Sequence, residues 1–300
     1  MKVKKNKSNF SVLKILLFVV LLLYACSLLV PALWALLTSL KSYEEYSILE
    51  NVTGLPRIKS FADIVANYKE AWQQGYAYAS VNGQMLYFTI PEQIVNSLLY
   101  ALGCMITATM TPCLTAYVCA RYPYKFSKVI HNIVIFAMVI PIVGSLPSEL
   151  EMVRTLGIYD TFWGLWIQKA NFIGTYFFVF YAQFKMIPET YAEAARMDGA
   201  SEFATMVRII LPMAKGTIGT VALLKFVEFW NDYQIPMVFL PSRPTLGYGM
   251  YLFSQRIGQV ISSVPMRISY MIVVITPILL LFILLHKKLM GNISVGGIKG

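Results

Sequence analysis

Six long apolar runs punctuate the chain of 300 residues, over 15–40, 94–120, 129–148, 161–184, 216–240 and 268–285. A helix needs roughly 17–25 apolar residues to cross a bilayer, and every run is that long. Four runs carry no Asp, Glu, Lys or Arg; the fourth holds Lys169 and the fifth holds Lys225, Glu228 and Asp232. The pattern predicts an all-α integral membrane protein with six transmembrane helices and one domain over 1–300. Segments 41–93, 149–160 and 241–267 fall on one side, and 121–128 and the polar 185–215 on the other.

Composition and charge sharpen this picture. The chain is 57% hydrophobic and 13% charged, with a mean hydropathy of +0.61, which excludes a soluble domain. Of the 25 Lys and Arg, 15 fall on the N-terminal side of the membrane and 8 on the other. The positive-inside rule therefore puts both termini in the cytoplasm, and 41–93 becomes an outer loop. The net charge of +10 reads as membrane topology. The basic residues are spread over four cytoplasmic segments, so no nucleic-acid surface is expected.

The first run could pass for a signal peptide, and Leu23-Tyr24-Ala25-Cys26 for a lipoprotein processing site. It continues apolar to Leu40, too long for a signal core, and is expected to be a retained helix. Cys26, Cys104, Cys113 and Cys119 lie in apolar runs without metal spacing, and the two histidines are far apart. No metal is expected. Five runs carry proline: Pro31, Pro112, Pro141 with Pro147, Pro236 and Pro277. Neighbouring groups can satisfy the carbonyls that such prolines free.

In the outer loop, Ser60-Phe61-Ala62-Asp63 reads as a capping box opening an amphipathic helix through Asn67, Tyr68 and Trp72. That helix is either a lid on the membrane surface or part of a landing site for an outside partner. The polar segment 185–215 is more specific. Thr190 to Glu193 has a capping-box pattern, Glu193-Ala194-Ala195 continues a short helix, and Gly199 suits a left-handed stop. Ser201 can cap a second helix, Phe203–Ile210, which ends at Leu211-Pro212. The expected product is a helix-turn-helix elbow whose alanines let another backbone approach.

The string Tyr191 to Pro212, YAEAARMDGASEFATMVRIILP, resembles the signature of permease subunits in bacterial binding-protein-dependent ABC importers. More narrowly, the chain resembles the smaller carbohydrate permease of the maltose-type group. Asn96-Ser97 and Tyr117 with Arg121 in the second run, Trp230-Asn231-Asp232 in the fifth, and the Gly296–Gly300 tail carry the likeness further. The resemblance implies the type I ABC importer permease fold. It also implies a second permease subunit as heterodimeric partner, two copies of a cytoplasmic ATPase, and an extracytoplasmic sugar-binding protein. Glu193, Ala194, Ala195, Asp198, Gly199, Leu211 and Pro212 would then form the ATPase-coupling element. The chain has no Gly-x4-Gly-Lys-Ser/Thr loop, so it is expected to be no enzyme, with ATP and Mg bound by the partner ATPase.

The intramembrane charges mark a second site. Lys225, Glu228 and Asp232 are spaced by three and four and share one helical face. A charge facing lipid costs about 2.5–3.5 kcal/mol or more, so they are expected to face the bundle or a wet cavity. With Trp230 and Asn231 they are the pathway candidates, and Lys169 with Gln168 and Asn171 lies in the fourth run. Two roles stay open for them: lining a sugar path, or pairing to fix helix packing. An ABC permease for a non-sugar solute is the alternative function. An ion-coupled secondary transporter is another, but it has no use for the elbow, and no inverted repeat is visible.

Overall fold

A computed structural model describes residues 12–58, 60–81, 83–122, 124–140, 144–255 and 263–293. The Gly296–Gly300 tail, Pro141, and the lysines at 2, 4, 5 and 7 lie outside them. The chain divides into two compact units, Met1–Gln74 with Arg256–Val273, and Gly75–Gln255 with Val274–Gly300.

In the first unit, α1 (Val12–Ser39) is apolar all round, and the apolar side chains from Ile15 to Leu33 are exposed. A helix without a polar face is made for lipid rather than water. Its C-terminal carbonyls lack intrahelical donors and find them in α2 (Phe61–Gln74). Asn67 Nδ2 donates to the Ser39 and Lys41 carbonyls, both at 2.7 Å, and Ser39 Oγ meets Tyr68 OH at 2.7 Å. Lys41, 1% exposed, donates to the Asn51 and Val52 carbonyls at 2.7 and 3.0 Å. The expected amphipathic helix is therefore present, and its Asn67 and Tyr68 seal the end of the first helix. Trp72 stays about half exposed, at 48%.

The second unit opens with an antiparallel hairpin, β1 (Ala77–Val81) and β2 (Gln84–Phe88), pairing Ala77 with Phe88 and Val81 with Gln84. No strand was expected in this outer segment. Around it the unit is helical. The thirty-two-residue α3 (Ile90–Arg121) is its spine, opened by the Thr89 N–H donating to Glu92 at 2.7 Å. Then follow α4 (Lys125–Val139), α5 (Leu146–Thr155), α6 (Phe162–Gln168), α7 (Thr175–Met186) and α8 (Thr190–Met197). After α9 (Glu202–Thr205), a π-helical turn and α10 (Leu211–Met213) come α11 (Lys215–Asn231), α12 (Gln234–Phe239), α13 (Leu246–Ser254) and α14 (Val264–Ile293). The division between the units falls within α14.

Helix α3 packs against α11, α7 and α6. The core between them contains Cys113, Ala116, Tyr117, Phe177, Phe180, Phe184, Ile210 and Val221. The cysteines of α3 are buried and unbridged, so they serve as small hydrophobes. Asn96 and Ser97 have a structural task. Asn96 Nδ2 donates to the Pro244 carbonyl at 3.0 Å, and Ser97 Oγ accepts from the Leu246 N–H at 2.7 Å.

Three apolar runs are not single helices, which corrects the expected spans. The third run, 129–148, straddles α4 and the start of α5. The fourth, 161–184, breaks between α6 and α7 at Gly174, whose φ of 145° suits glycine alone. The fifth, 216–240, breaks after Asn231, because Asp232 turns extended and its Oδ1 accepts the Ile235 N–H at 3.1 Å. Among the described residues, two helices are long and apolar enough to cross a membrane. The bent pair from Glu202 to Asn231 would make a third.

Gly103 lets α6 approach α3: a Cβ there would overlap the Trp166 indole, whose Nε1 donates to the Leu99 carbonyl at 3.1 Å. Gly103→Val should cost about 1–3 kcal/mol and lower the melting temperature of the purified protein in detergent. Gly219→Ala is the control, since its Cβ meets nothing within 4 Å. It should leave melting unchanged or raise it.

Candidate functional site

Two places gather the chemistry, and both belong to the second unit. The first is the elbow. Helix α8 ends in a Schellman motif: the Ala200 N–H reaches the Ala195 carbonyl at 2.9 Å, and the Gly199 N–H reaches that of Arg196 at 3.0 Å. Gly199 takes φ 82°, a conformation that costs a residue with a Cβ. Ser201 Oγ then accepts the Ala204 N–H at 3.2 Å and caps the second helix. That helix runs past Leu211-Pro212 to Met213, beyond its expected end. Pro212 has no N–H, and the turn before it widens to a π-type bond from Leu211 to the Met206 carbonyl. The axis bends by 74° into α11.

Two local expectations are corrected. Thr190 is not a cap; it lies inside α8, and Glu189 holds the cap position without a side-chain bond. Ala195, with Ala192, is 4% exposed and packs inside the elbow. The outward face of α8 holds Glu193, Ala194 and Asp198 with Tyr191 and Met197. Met197 is 84% exposed and Phe203 71%. The alternation of buried and exposed positions follows the helical period, and that signal was available in the sequence.

A ladder of charges holds the elbow to the end of α3. Arg121, its side chain 8% exposed, pairs with Glu189 at 2.8 Å and donates to the Ile187 carbonyl at 2.9 Å. Arg196 Nε lies 2.8 Å from Glu202, and Arg196 also approaches Glu189 at 3.6 Å. Tyr122 OH donates to Glu202 at 2.6 Å. The bonds from Arg196 and then Tyr122 hold the Glu202 carboxyl below its usual range, and the bond to Glu202 raises the Arg196 guanidinium. Burial, then the bond to Glu202, pushes the Tyr122 phenol up. The pairs of Arg121 with Glu189 and of Tyr122 with Glu202 were not expected from the sequence, because the partners lie 68 and 80 residues apart.

The second place is a cavity of about 600 Å³. The break between α6 and α7 brings Lys169 and Asn171 to it; α11 brings Lys225, Glu228 and Asp232; and α5 brings Glu149. Lys225 Nζ pairs with Glu228 at 2.8 Å and sits 5.0 Å from the Tyr176 ring centre. Asp232 accepts from Tyr100 OH at 2.8 Å, and Glu149 from Ser145 Oγ at 2.7 Å and Gln168 Nε2 at 3.1 Å. The spacing argument thus brought Lys225, Glu228 and Asp232 to one wall. Glu149 was missed, having been assigned to an outer connection.

Trp230 and Asn231 are not in the wall. Trp230 is 2% exposed, lies against Phe226, and donates to the Val274 carbonyl at 3.2 Å. Asn231 donates back to the Val227 carbonyl at 2.8 Å. Helical geometry turns Trp230 away from the face that carries Lys225 and Glu228, whereas the Asn231 amide is taken up by its bond to Val227. Among the described residues no group of three His, Cys, Asp or Glu is placed to hold a metal ion.

An elbow offered outward and a charged cavity on interrupted apolar helices define a membrane transport subunit. The chain belongs to the family of binding-protein-dependent transport system inner membrane components, which it matches over residues 99–291. It is 26% identical to the arabinooligosaccharides transport system permease protein AraQ of Bacillus subtilis, over 99% of each chain. It is 24% identical to the diacetylchitobiose uptake system permease protein NgcG of Streptomyces coelicolor, over 92% of this chain and 86% of that one. A crystal structure of a bacterial ABC transporter involved in the import of the acidic polysaccharide alginate shares the fold. Its TM-score is 0.73 at 20% identity, covering 93% of this chain and 97% of that one.

The ladder yields two tests. Arg121→Gln removes charge-assisted bonds, each worth about 1.5–3 kcal/mol. Hydrogen exchange should quicken across 187–205 and stay unchanged in the hairpin. Second, Glu202 titrates in the folded protein below its ordinary 4.5. Its contribution is whole at neutral pH and fades as pH falls from about 4.5 toward that lower value. Elbow protection, taken relative to the intrinsic amide exchange rate at each pH, should therefore fall below that pH, and in Glu202→Gln this acid-sensitive step should shrink.

Proposed function

We propose that this chain is one permease subunit of an ATP-driven sugar importer, forming half of the translocation pathway with a second permease. The elbow carries this reading. Its outward face combines Glu193, Ala194 and Asp198 with bare Tyr191, Met197 and Phe203, while its inward face is fixed by the charge ladder. An apolar knob rimmed by carboxylates suits a groove on a separate cytoplasmic subunit. That subunit, in two copies, supplies ATP, Mg and hydrolysis. An outside binding protein delivers the cargo, and both termini lie in the cytoplasm.

Sugar is the cargo best supported by the cavity. Carboxylates, lysines and an amide around a polar space match a ligand rich in hydroxyls. The related permeases take up oligosaccharides by their names, which extends the reading to this chain. Lys225 and Glu228 neutralise each other, so the wall holds its charges at little cost while leaving hydrogen-bonding capacity toward the cavity.

Two experiments test these roles in vesicles reconstituted with all partner subunits. Gly199→Val should leave the chain inserted but cut both cargo uptake and ATPase stimulation at least tenfold. Full coupling in that variant would sink the elbow assignment. Asp232→Asn should lower uptake about tenfold with the complex assembled and ATPase turnover retained, whereas loss of assembly would assign Asp232 to packing. For the pair, Lys225→Glu with Glu228→Lys should restore assembly if pairing alone matters.

A further inference from the structure

Another cavity, of about 330 Å³, lies apart from both sites. It sits at the elbow end of the second unit, between the end of α3, the first turns of α4 and the last turn of α7. Ser127, Lys128, His131, Tyr181 and Lys185 line it, and no carboxylate does. Lys185 Nζ lies 5.7 Å from the centre of the Tyr181 ring. Neither lysine makes an ion pair among the described residues. The first turn of α4 adds to the positive field, with no acidic residue and no side-chain cap on its free N–H groups. Like charges converging on one concavity repel unless an anion sits between them.

The flank of α4 beside this cavity is apolar and bare. Val129, Ile133, Phe136 and Ile140 are 46–69% exposed and spaced four, three and four apart, so they form one stripe. Asn132 lines the cavity on its side nearest the stripe. A phosphate in the cavity would thus carry anything attached to it directly onto a lipid-facing ridge.

We propose that this cavity binds the phosphate of an anionic phospholipid, with the acyl chains laid along the α4 stripe. Basic pockets between transmembrane helices on the cytoplasmic side suit such headgroups. Free phosphate shares the headgroup chemistry but gains nothing from the stripe. The site rests on the chain's place in the membrane and is independent of the cargo, so uptake assays and lipid assays fail separately.

The test titrates the assembled transporter with phosphatidylglycerol, phosphatidylcholine and inorganic phosphate, and counts retained molecules by native mass spectrometry. Phosphatidylglycerol should bind more tightly than phosphatidylcholine, and its six-carbon-chain form more weakly than the long-chain form. Lys128→Gln with Lys185→Gln should weaken phosphatidylglycerol about twenty-fivefold, taking about fivefold per lysine, and leave phosphatidylcholine unchanged. Equal binding of the two lipids, or unchanged phosphatidylglycerol binding in the assembled variant, overturns the proposal. Displacement by inorganic phosphate as effective as by the long-chain lipid also overturns it, and assigns the cavity to a free ion. Should the variant not assemble, acetylation of the wild-type complex in nanodiscs decides. Lys128 and Lys185 should be protected at least fivefold by phosphatidylglycerol over phosphatidylcholine, and equal labelling rejects the site.

Discussion

Every helix break within apolar sequence must satisfy the backbone groups it frees, and this constraint shapes the second unit. In an apolar surrounding an unpaired N–H or C=O costs several kcal/mol. The fifth run meets the demand locally, with Asp232 taking the Ile235 N–H at one oxygen and the Tyr100 hydroxyl at the other. Asn171 takes the Ile173 N–H in the break of the fourth run. Each repair needs a polar side chain, and these side chains gather where the breaks face each other. The cavity is the outcome. Asn171 and Asp232 are there partly because unwound backbone requires polar company, and a polar cavity is what a hydroxyl-rich cargo needs.

The elbow solves the opposite problem. In the coupling role proposed for it, its surface is offered to another protein, so its shape cannot depend on that partner. The Schellman turn at Gly199, the Ser201 cap and the buried Ala192 and Ala195 make it rigid from within. The Arg121 bonds to Glu189 and to the Ile187 carbonyl fasten it to α3. Exposed ion pairs contribute little, but Arg121 is nearly buried and bonds a backbone carbonyl as well, which makes it the strongest single tether. Met197 and Phe203 are free to remain exposed because the elbow needs neither for its own packing.

Much of this was legible in the sequence, for reasons that particular residues make plain. Gly199 and Ser201 declare a turn and a cap through their own backbone chemistry, which needs no distant partner. The spacing of Lys225, Glu228 and Asp232 follows from helical geometry alone. The apolar runs announced a membrane, but not where their helices stop, because hydropathy does not register Gly174 or the capping oxygen of Asp232. Trp230 was misplaced for a related reason: a motif fixes neighbours in sequence, and a helix turns each neighbour about 100° further round its axis. Glu149, Arg121 with Glu189, Tyr122 with Glu202, and the hairpin at 77–88 depend on contacts across the fold or on weak local propensity. Thr190 had the spelling of a cap, but the helix begins one residue earlier, and Glu189 takes the position.

The two sites are joined by two helices that pack side by side. Helix α11 leaves the elbow at the 74° bend and delivers Lys225, Glu228 and Asp232 to the cavity. At about 1.5 Å per residue its seventeen residues span roughly 25 Å. Helix α3 runs the same course, with Arg121 on the elbow and Tyr100 bonded to Asp232. A rigid helix transmits rotation at one end to the other, and a close-packed interface between two such helices does not deform by small amounts. Movement of the elbow would therefore reach the cavity as a shift of α11 against α3. The contact between Asp232 and Tyr100 reports that shift most directly, because its two halves belong to different helices. On this reading the bond that repairs the broken fifth run is also the bond that feels the elbow move.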